Sequence, residues 1–185
     1  LPNSPVFLPL NQALWEIGAV AHPIAAKTPL PELLTEWETY HYQAVITLPT
    51  VGKALEAPLV PWEKVQLHTI SELAILTDAS QLAYRINAPQ ARPQEDDLAL
   101  ILNTSGTTGK PKRVGLTHRM LLNAALHDAK SHALSPDDTA MVVMPMFHIN
   151  AQVISVLATR LSGGKLVIAP KFSASGFWPT IETNH

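Results

Sequence analysis

The chain has 185 residues, and division by a typical domain size of about 150 residues gives about 1.2, which indicates one domain or one piece of a larger protein. A net charge of −2, from 13 basic and 15 acidic residues, argues against holding nucleic acid or an anionic membrane by bulk electrostatics. Without cysteine, the chain cannot carry a disulfide, a thiolate nucleophile, cysteine-ligated zinc or an iron–sulfur cluster. Small-molecule chemistry therefore remains open, and the absence of cysteine permits a reducing cytosol or an organelle matrix, of which we predict the cytoplasm.

Two predicted helices and a strand occupy the first part of the chain. The first helix is expected over 5–19, with Ser4 as its N-cap and Gly18 near its end. The second is expected over 30–42, because a proline and a glutamate lie in its first turn. Residues 44–48 predict a short buried strand. From Pro49 to Pro93, prolines cut the chain into short pieces, so that we expect a peripheral region of brief elements.

The second half begins with an apolar run over 98–102, typical of a central strand buried on both faces. Residues 112–117 predict another strand, and Thr117 or His118 is expected to cap a helix towards Leu134. The inner face of that helix is predicted to hold four apolar residues, which are Leu121, Leu122, Ala125 and Leu126.

Strand and helix continue to alternate as far as the last helix. A strand is predicted over 139–144, a helix over about 150–161 with a stop at Gly163 and Gly164, a strand over 165–169 and a helix from about Ser175. This alternation predicts an α/β fold with a mainly parallel sheet flanked by helices.

One stretch, 139–159, has no Asp, Glu, Lys or Arg and approaches the length of a membrane span. Pro145 and the polar residues His148 and Gln152 interrupt its centre, and each buried polar group would cost free energy in lipid. We therefore predict no membrane span.

The most informative segment directly follows the apolar strand and combines two glycines, four hydroxyl side chains and two lysines. Glycines let backbone N–H groups turn towards an anion, hydroxyls add donors, and lysine adds charge, so that the segment predicts a phosphate-binding loop. A polar hairpin loop without a ligand is the structural alternative. The nine residues are Thr104, Ser105, Gly106, Thr107, Thr108, Gly109, Lys110, Pro111 and Lys112.

Two common nucleotide loops do not fit this segment. A Walker A loop would need Gly where Thr104 stands and Ser or Thr where Pro111 stands. A dinucleotide fingerprint would need a further glycine and a following helix, whereas a strand is predicted here.

The order of these nine residues, with Leu116, Thr117 and His118 after them, resembles the phosphate-loop signature of the adenylate-forming enzymes, the acyl-CoA synthetases and their relatives. The segments 1–4 and 18–23 resemble the early part of that family. Residues 144–149 are similar to its Pro-Leu-Phe-His segment, and 163–172 to the strand that follows. The resemblance spans nearly the whole chain and is weakest over 49–93.

The resemblance implies an enzyme that uses ATP and Mg²⁺ to convert a small-molecule carboxylic acid to an acyl-adenylate, and then coenzyme A to form a thioester. It implies that Lys112 neutralises the phosphates and that Thr104 touches the magnesium ion. It also places His148 near the nucleotide and the acyl group, in an orienting role. Lys112 and His148 are therefore the predicted catalytic residues, and the predicted nucleotide-binding residues are Thr104, Ser105, Gly106, Thr107, Thr108, Gly109 and Lys112.

Residues 172–179 resemble a stretch of the oxalate–CoA ligase branch, so that a small dicarboxylate is one candidate substrate, and other acyl acids stay open. The alternative is a helix start capped by Ser173 or Ser175, with Phe177 and Trp178 buried. Two other positions depart from the family pattern. Arg113 stands where many relatives have glycine, and Asn150 precedes Ala151 where a glycine is common.

The expected organisation is a partial N-terminal AMP-binding domain over residues 1–185, with later blocks of that domain and the C-terminal domain absent. Such a piece is expected to be inactive by itself. Two alternatives remain open: an adenylating enzyme that delivers to a carrier-protein thiol, and a non-catalytic nucleotide-binding module. The sequence does not predict the oligomeric state.

Overall fold

The computed structural model describes residues 1–56, 62–67, 71–77, 92–104 and 112–184. The chain divides into two compact units. One consists of Leu1 with Ile24–Gln90, and the other of Pro2–Pro23 with Ala91–His185. In chain order, the elements are α1 (Phe7–Glu16), α2 (Leu30–Tyr40), β1 (Ala44–Thr47), α3 (Pro49–Glu56), β2 (Trp62–Leu67), β3 (Ser71–Thr77), β4 (Leu98–Thr104), β5 (Lys112–Thr117), α4 (His118–Ser131), β6 (Thr139–Val142), a π-helix (Ala151–Leu157), α5 (Ala158–Leu161), β7 (Lys165–Ile168) and α6 (Ala174–Thr183).

The unit containing Ile24–Gln90 is built on a three-stranded antiparallel sheet with the order β1-β3-β2. Leu55 of α3 and Leu73 and Ala74 of β3 are buried there. The predicted strand at 44–48 is confirmed, but it lies at the sheet edge and only Thr47 is buried. Edge position therefore explains why its apolar residues are not enclosed.

In the other unit, α1 begins at Phe7, two residues later than predicted. Val6 is the N-cap residue, and Ser4 instead closes the preceding turn by accepting from the backbone N–H groups of Val6 and Phe7. The predicted stop at Gly18 is confirmed, since its φ of +69° lies in the left-handed region that glycine adopts without strain.

The sheet prediction needs a correction. The α/β class is confirmed, but β4 and β5 are antiparallel, like the three strands of the first unit. The physical reason is the connection: only residues 105–111 join β4 to β5, whereas a parallel pair needs a crossover of about a dozen residues or more. Parallel pairing occurs between β6 and β7 and at a single bridge from Ala21 to Leu100.

The predicted helix over 150–161 is present in a less regular form. Its first part is the π-helix and its last turn is α5, ended by Gly163 with a φ of +81°. Thr117 caps α4 by accepting from the Met120 N–H, as predicted. Among the described residues, no helix has the length and apolar character needed to cross a membrane.

Burial corrects three further expectations. On α4, Leu121 and Ala125 are buried, whereas Leu122 and Leu126 are 43% and 45% exposed. Thus two of the four residues predicted for the inner face are buried. On β4, Ala99 and Leu100 are fully buried while Leu98 is 45% exposed, so that the strand is not enclosed along its whole length. Trp178 is 66% exposed rather than buried, although Ser173 does cap α6.

Candidate functional site

The candidate site begins at the end of the β4–β5 hairpin. Thr104 is the last residue of β4 and Lys112 the first of β5, and the two face each other across the ladder. The Thr104 hydroxyl donates to the Lys112 carbonyl oxygen over 3.2 Å, and both residues are exposed. Five predicted nucleotide-binding residues lie outside the described residues, namely Ser105, Gly106, Thr107, Thr108 and Gly109.

Strand β4 is anchored from its other side before it reaches this end. The Ala21 N–H donates to the Ala99 carbonyl over 3.0 Å, and the Ile101 N–H donates back to the Ala21 carbonyl over 2.8 Å. The Trp15 indole N–H also donates to the Ala99 carbonyl over 2.8 Å. Because Leu100 is fully buried between these contacts, β4 presents Thr104 from a fixed position.

Arg113, which departs from the family pattern, keeps regular strand pairing with Asn103. Its guanidinium lies 3.2 Å from the Nδ1 of His22, and both side chains are partly buried. The arginine is therefore accommodated by a contact with the segment after α1, without a break in the ladder.

His148 lies on a different segment, in the turn after β6. Its N–H donates to the Pro145 carbonyl over 3.0 Å, and its own carbonyl accepts from the Gln152 N–H over 3.3 Å. Its ring lies 4.1 Å from the Phe147 ring, centroid to centroid, and the residue is exposed. Thus the structure pairs Thr104 with Lys112 directly, and it holds His148 separately, in the turn that precedes the π-helix.

Two buried amides next to this turn were missed by sequence reasoning. Asn11 of α1 donates through Nδ2 to the Oε1 of Gln152 over 3.3 Å, and this bond ties α1 to the π-helix. No sequence signal marked this pair. Asn3 was also missed as a site residue, although it stands in the Leu-Pro-Asn-Ser segment that carried the family resemblance. It bonds the backbone on both sides of Pro145.

A cavity of about 260 Å³ lies between the β6–β7 pair and α6. None of the predicted site residues lines it. Its lining residues include Asp137, Asp138, Met141, Val167 and Ile181. The predicted acyl site near His148 is therefore a separate place.

Exposed charged groups pair with each other at the base of the hairpin. Arg119, at the start of α4, donates to Asp96 over 2.7 and 3.1 Å and pairs with Glu95. The hydrogen bonds and the charge of Arg119 lower the pKa of Asp96 below its usual range. In the described part of the chain, no group of three or more His, Cys, Asp or Glu side chains is placed to hold a metal ion.

Comparison with known proteins gives one family over the full length. The model of the AMP-binding enzyme family matches residues 1–185. A crotonobetaine/carnitine–CoA ligase of Shigella flexneri is 34% identical over 196 residues, covering 96% of this chain and 37% of that protein. A sulfoacetate–CoA ligase of Cupriavidus necator is 42% identical over 91 residues, covering 49% of this chain and 18% of that protein.

The fold has counterparts among solved structures. MatB of Rhodopseudomonas palustris superposes with a TM-score of 0.74 at 23% identity, covering 95% of this chain and 35% of MatB. At that identity the likeness concerns the fold, and this chain spans about a third of the length of MatB. The family match over the whole chain, predicted from the loop and its flanking segments, establishes that the protein belongs to the AMP-binding enzyme family.

Proposed function

We propose that these residues are part of the N-terminal domain of an ATP-dependent acid–CoA ligase, which makes an acyl-adenylate and then an acyl-CoA thioester. The observation that carries the proposal is the β4–β5 hairpin, because Thr104 and Lys112 are paired on either side of the phosphate-loop sequence. The names of the CoA ligases among the relatives support the same activity.

In this proposal the hairpin holds the triphosphate of ATP. The N–H groups of residues 104–109 and the hydroxyl groups of Ser105, Thr107 and Thr108 donate to the β- and γ-phosphates, and the Lys112 ammonium neutralises their charge. Lys112 suits this role because it is exposed and its backbone is fixed in the ladder opposite Thr104. Donors that are already oriented stabilise developing charge at little reorganisation cost.

Thr104 fits one magnesium ligand position. Its hydroxyl hydrogen is directed to the Lys112 carbonyl, so that lone pairs on Oγ1 remain available to a cation. Magnesium prefers oxygen ligands and keeps phosphate oxygens and waters among them, so that one protein hydroxyl here is compatible with its chemistry. Bound magnesium would supply positive charge to the phosphate oxygens.

The chemistry proceeds in two balanced steps. A carboxylate oxygen of the acid bonds to the α-phosphorus of ATP, the bond from that phosphorus to pyrophosphate breaks, and pyrophosphate leaves with the electron pair. The coenzyme A thiol then gives its proton to water and its sulfur bonds to the acyl carbon, while the bond from that carbon to the phosphate oxygen of AMP breaks and AMP leaves with the electron pair. Lys112 screens the phosphate charge until pyrophosphate leaves, and in both steps His148 orients the acyl group by a ring contact or one hydrogen bond.

The identity of the acid substrate is tested with the full-length protein that contains these residues. Sulfoacetate, crotonobetaine, carnitine and oxalate form the panel, and pyrophosphate release and CoA-thioester formation are both measured. Replacement of Lys112 by Ala should lower pyrophosphate release about 10²-fold for every acid that the wild type uses. Lys165→Ala is the matched control, because Lys165 is also exposed and also begins a strand.

The outcomes separate the alternatives. Equal rates in Lys112→Ala and the wild type would contradict the role of Lys112. Pyrophosphate release without a CoA thioester would favour a carrier-protein thiol as acceptor. Binding of ATP with no pyrophosphate release for a broader set of acids would favour a non-catalytic nucleotide-binding module.

A further inference from the structure

The Asn3 side chain uses both ends of its amide to hold backbone groups. Its Nδ2 donates to the Met144 carbonyl over 2.9 Å and to the Ala169 carbonyl over 3.2 Å. Its Oδ1 accepts from the Met146 N–H over 2.8 Å. The opposite amide orientation would bring an oxygen against two carbonyl oxygens, so that the three partners together determine which way the amide faces.

These partners lie where two parallel strands end. The last paired residues of β6 and β7 are Val142 and Ile168, and the Ala169 N–H still donates to the Val142 carbonyl over 3.0 Å. Beyond that point, Met144 and Ala169 are joined through Asn3. The amide thus adds a side-chain link across the carboxyl ends of the two strands, the edge at which parallel α/β sheets generally build their ligand sites.

The same amide determines the entry into the turn that carries His148. Asn3 fixes the Met146 N–H, and the Met146 side chain is only 2% exposed, packed in a cluster with Phe7 and Val142. Two residues later, the His148 N–H closes the turn on the Pro145 carbonyl. A shift of Met146 would therefore move the rings of Phe147 and His148 as well.

We propose that Asn3 is a positioning residue for acid binding, which acts by holding the 144–148 turn and does not touch the substrate. This inference rests on the proposed function, since it assumes that His148 orients the acyl group. It assigns a role to the Leu-Pro-Asn-Ser segment, and it predicts that Asn3 affects use of the acid far more than use of ATP.

The test is Asn3→Asp in the full-length protein. A carboxylate keeps the side-chain shape but cannot donate, so that it faces the carbonyl oxygens of Met144 and Ala169 with repulsion. Loss of bonds that each contribute about 1 kcal/mol should raise hydrogen–deuterium exchange over 144–148 about tenfold, and raise KM for the best acid of the panel similarly. KM for ATP should stay within about twofold, since the hairpin is not touched.

Two further variants keep the test decisive. Asn3→Ala removes the bonds without adding charge and should show the same pattern if Asn3→Asp does not fold. Ala125→Gly, a buried change in α4, lowers stability without touching the turn. It should lower the urea unfolding midpoint, while KM for the acid and hydrogen–deuterium exchange over 144–148 stay close to the wild-type values.

The proposal fails if exchange over 144–148 matches the wild type in the Asn3 variants, or if KM for the acid and KM for ATP rise equally. It also fails if the Asn3 variants behave like Ala125→Gly. Failure of the proposed function has a different signature, because the wild-type protein would then activate no acid of the panel. Amide exchange in the Asn3 variants would still decide whether Asn3 fixes the turn.

Discussion

The two strand pairs of the larger unit differ in how far along the chain the contacts lie that position their candidate residues. The β4–β5 hairpin is antiparallel and short-range, and its end carries Thr104 and Lys112 on adjacent backbone. The β6–β7 pair is parallel, and the turn at its end is held by Asn3, which is 141 residues from Met144. A local motif therefore positions Thr104 and Lys112 at the end of the hairpin, whereas long-range contacts position the turn that follows β6.

The largest expected effect tests the anchoring of the hairpin. Leu100 is fully buried in the core cluster beneath β4. Leu100→Ala should lower the free energy of unfolding by about 3 kcal/mol, because it removes buried methyl groups and leaves a cavity. Urea unfolding followed by tryptophan fluorescence measures the loss. Leu126→Ala, at a 45% exposed position, is the control, and equal losses would contradict the assigned core.

The next effect tests the close packing at the start of the β6–β7 pair. A Cβ on Gly164 would stand 2.7 Å from the Asp138 carbonyl oxygen and 2.9 Å from the Thr159 side chain. Gly164→Ala should therefore lower the free energy of unfolding by about 2 kcal/mol, because the backbone must move to relieve the overlap.

Gly18→Ala tests the effect of backbone conformation on stability without a steric overlap. A Cβ on Gly18 meets nothing within 4 Å, so that its cost should come only from the positive φ, about 1 kcal/mol. A smaller loss for Gly164→Ala than for Gly18→Ala, measured by the same urea titration, would mean that the β6–β7 pair is less tightly packed than described.

The smallest expected effect on stability is that of the Asp138 carboxylate, and it depends on pH. The Asp138 carboxylate accepts from the Ser135 N–H over 2.7 Å and from its hydroxyl over 2.8 Å, and these hydrogen bonds lower the pKa of Asp138. Because the pKa is lowered by folding, the carboxylate stabilises the folded state at any pH above the ordinary aspartate pKa of about 3.9. This stabilisation is lost as the pH falls through the lower pKa of the folded state.

Asp138→Asn should accordingly reduce the urea midpoint at neutral pH and converge with the wild type in acid. Asp137→Asn changes the net charge equally and serves as the control. A deficit of Asp138→Asn that persists unchanged at acidic pH would show that the carboxylate charge is not what closes this turn.

Prediction from sequence succeeded where the signal is contained in neighbouring residues. The boundaries of β5, the Thr117 cap and the glycine stops at Gly18 and Gly163 depend on contacts or conformations within a few residues. The family followed from the loop order for the same reason. The role of the loop in phosphate binding stays a prediction, because residues 105–111 lie outside the described residues.

Prediction did not extend to properties that depend on distant neighbours. Leu121 and Leu122 are identical side chains on one helix, yet only the first is buried, because burial depends on which elements pack against α4. The antiparallel pairing of β4 and β5 departs from the predicted parallel sheet, because alternation of strands and helices along the chain does not fix strand direction, whereas a connection of seven residues is too short for a parallel crossover.

The sequence by itself determined the α/β class, the order of the elements outside 49–93, the family and the composition of the loop between β4 and β5, since each depends on residue type and short-range spacing. Only the tertiary structure decided that Thr104 bonds to Lys112, that Arg113 reaches His22, and that one asparagine joins the ends of β6 and β7. Such contacts join groups that are up to 166 residues apart, and spacing along the chain carries no information about pairs that meet only after folding.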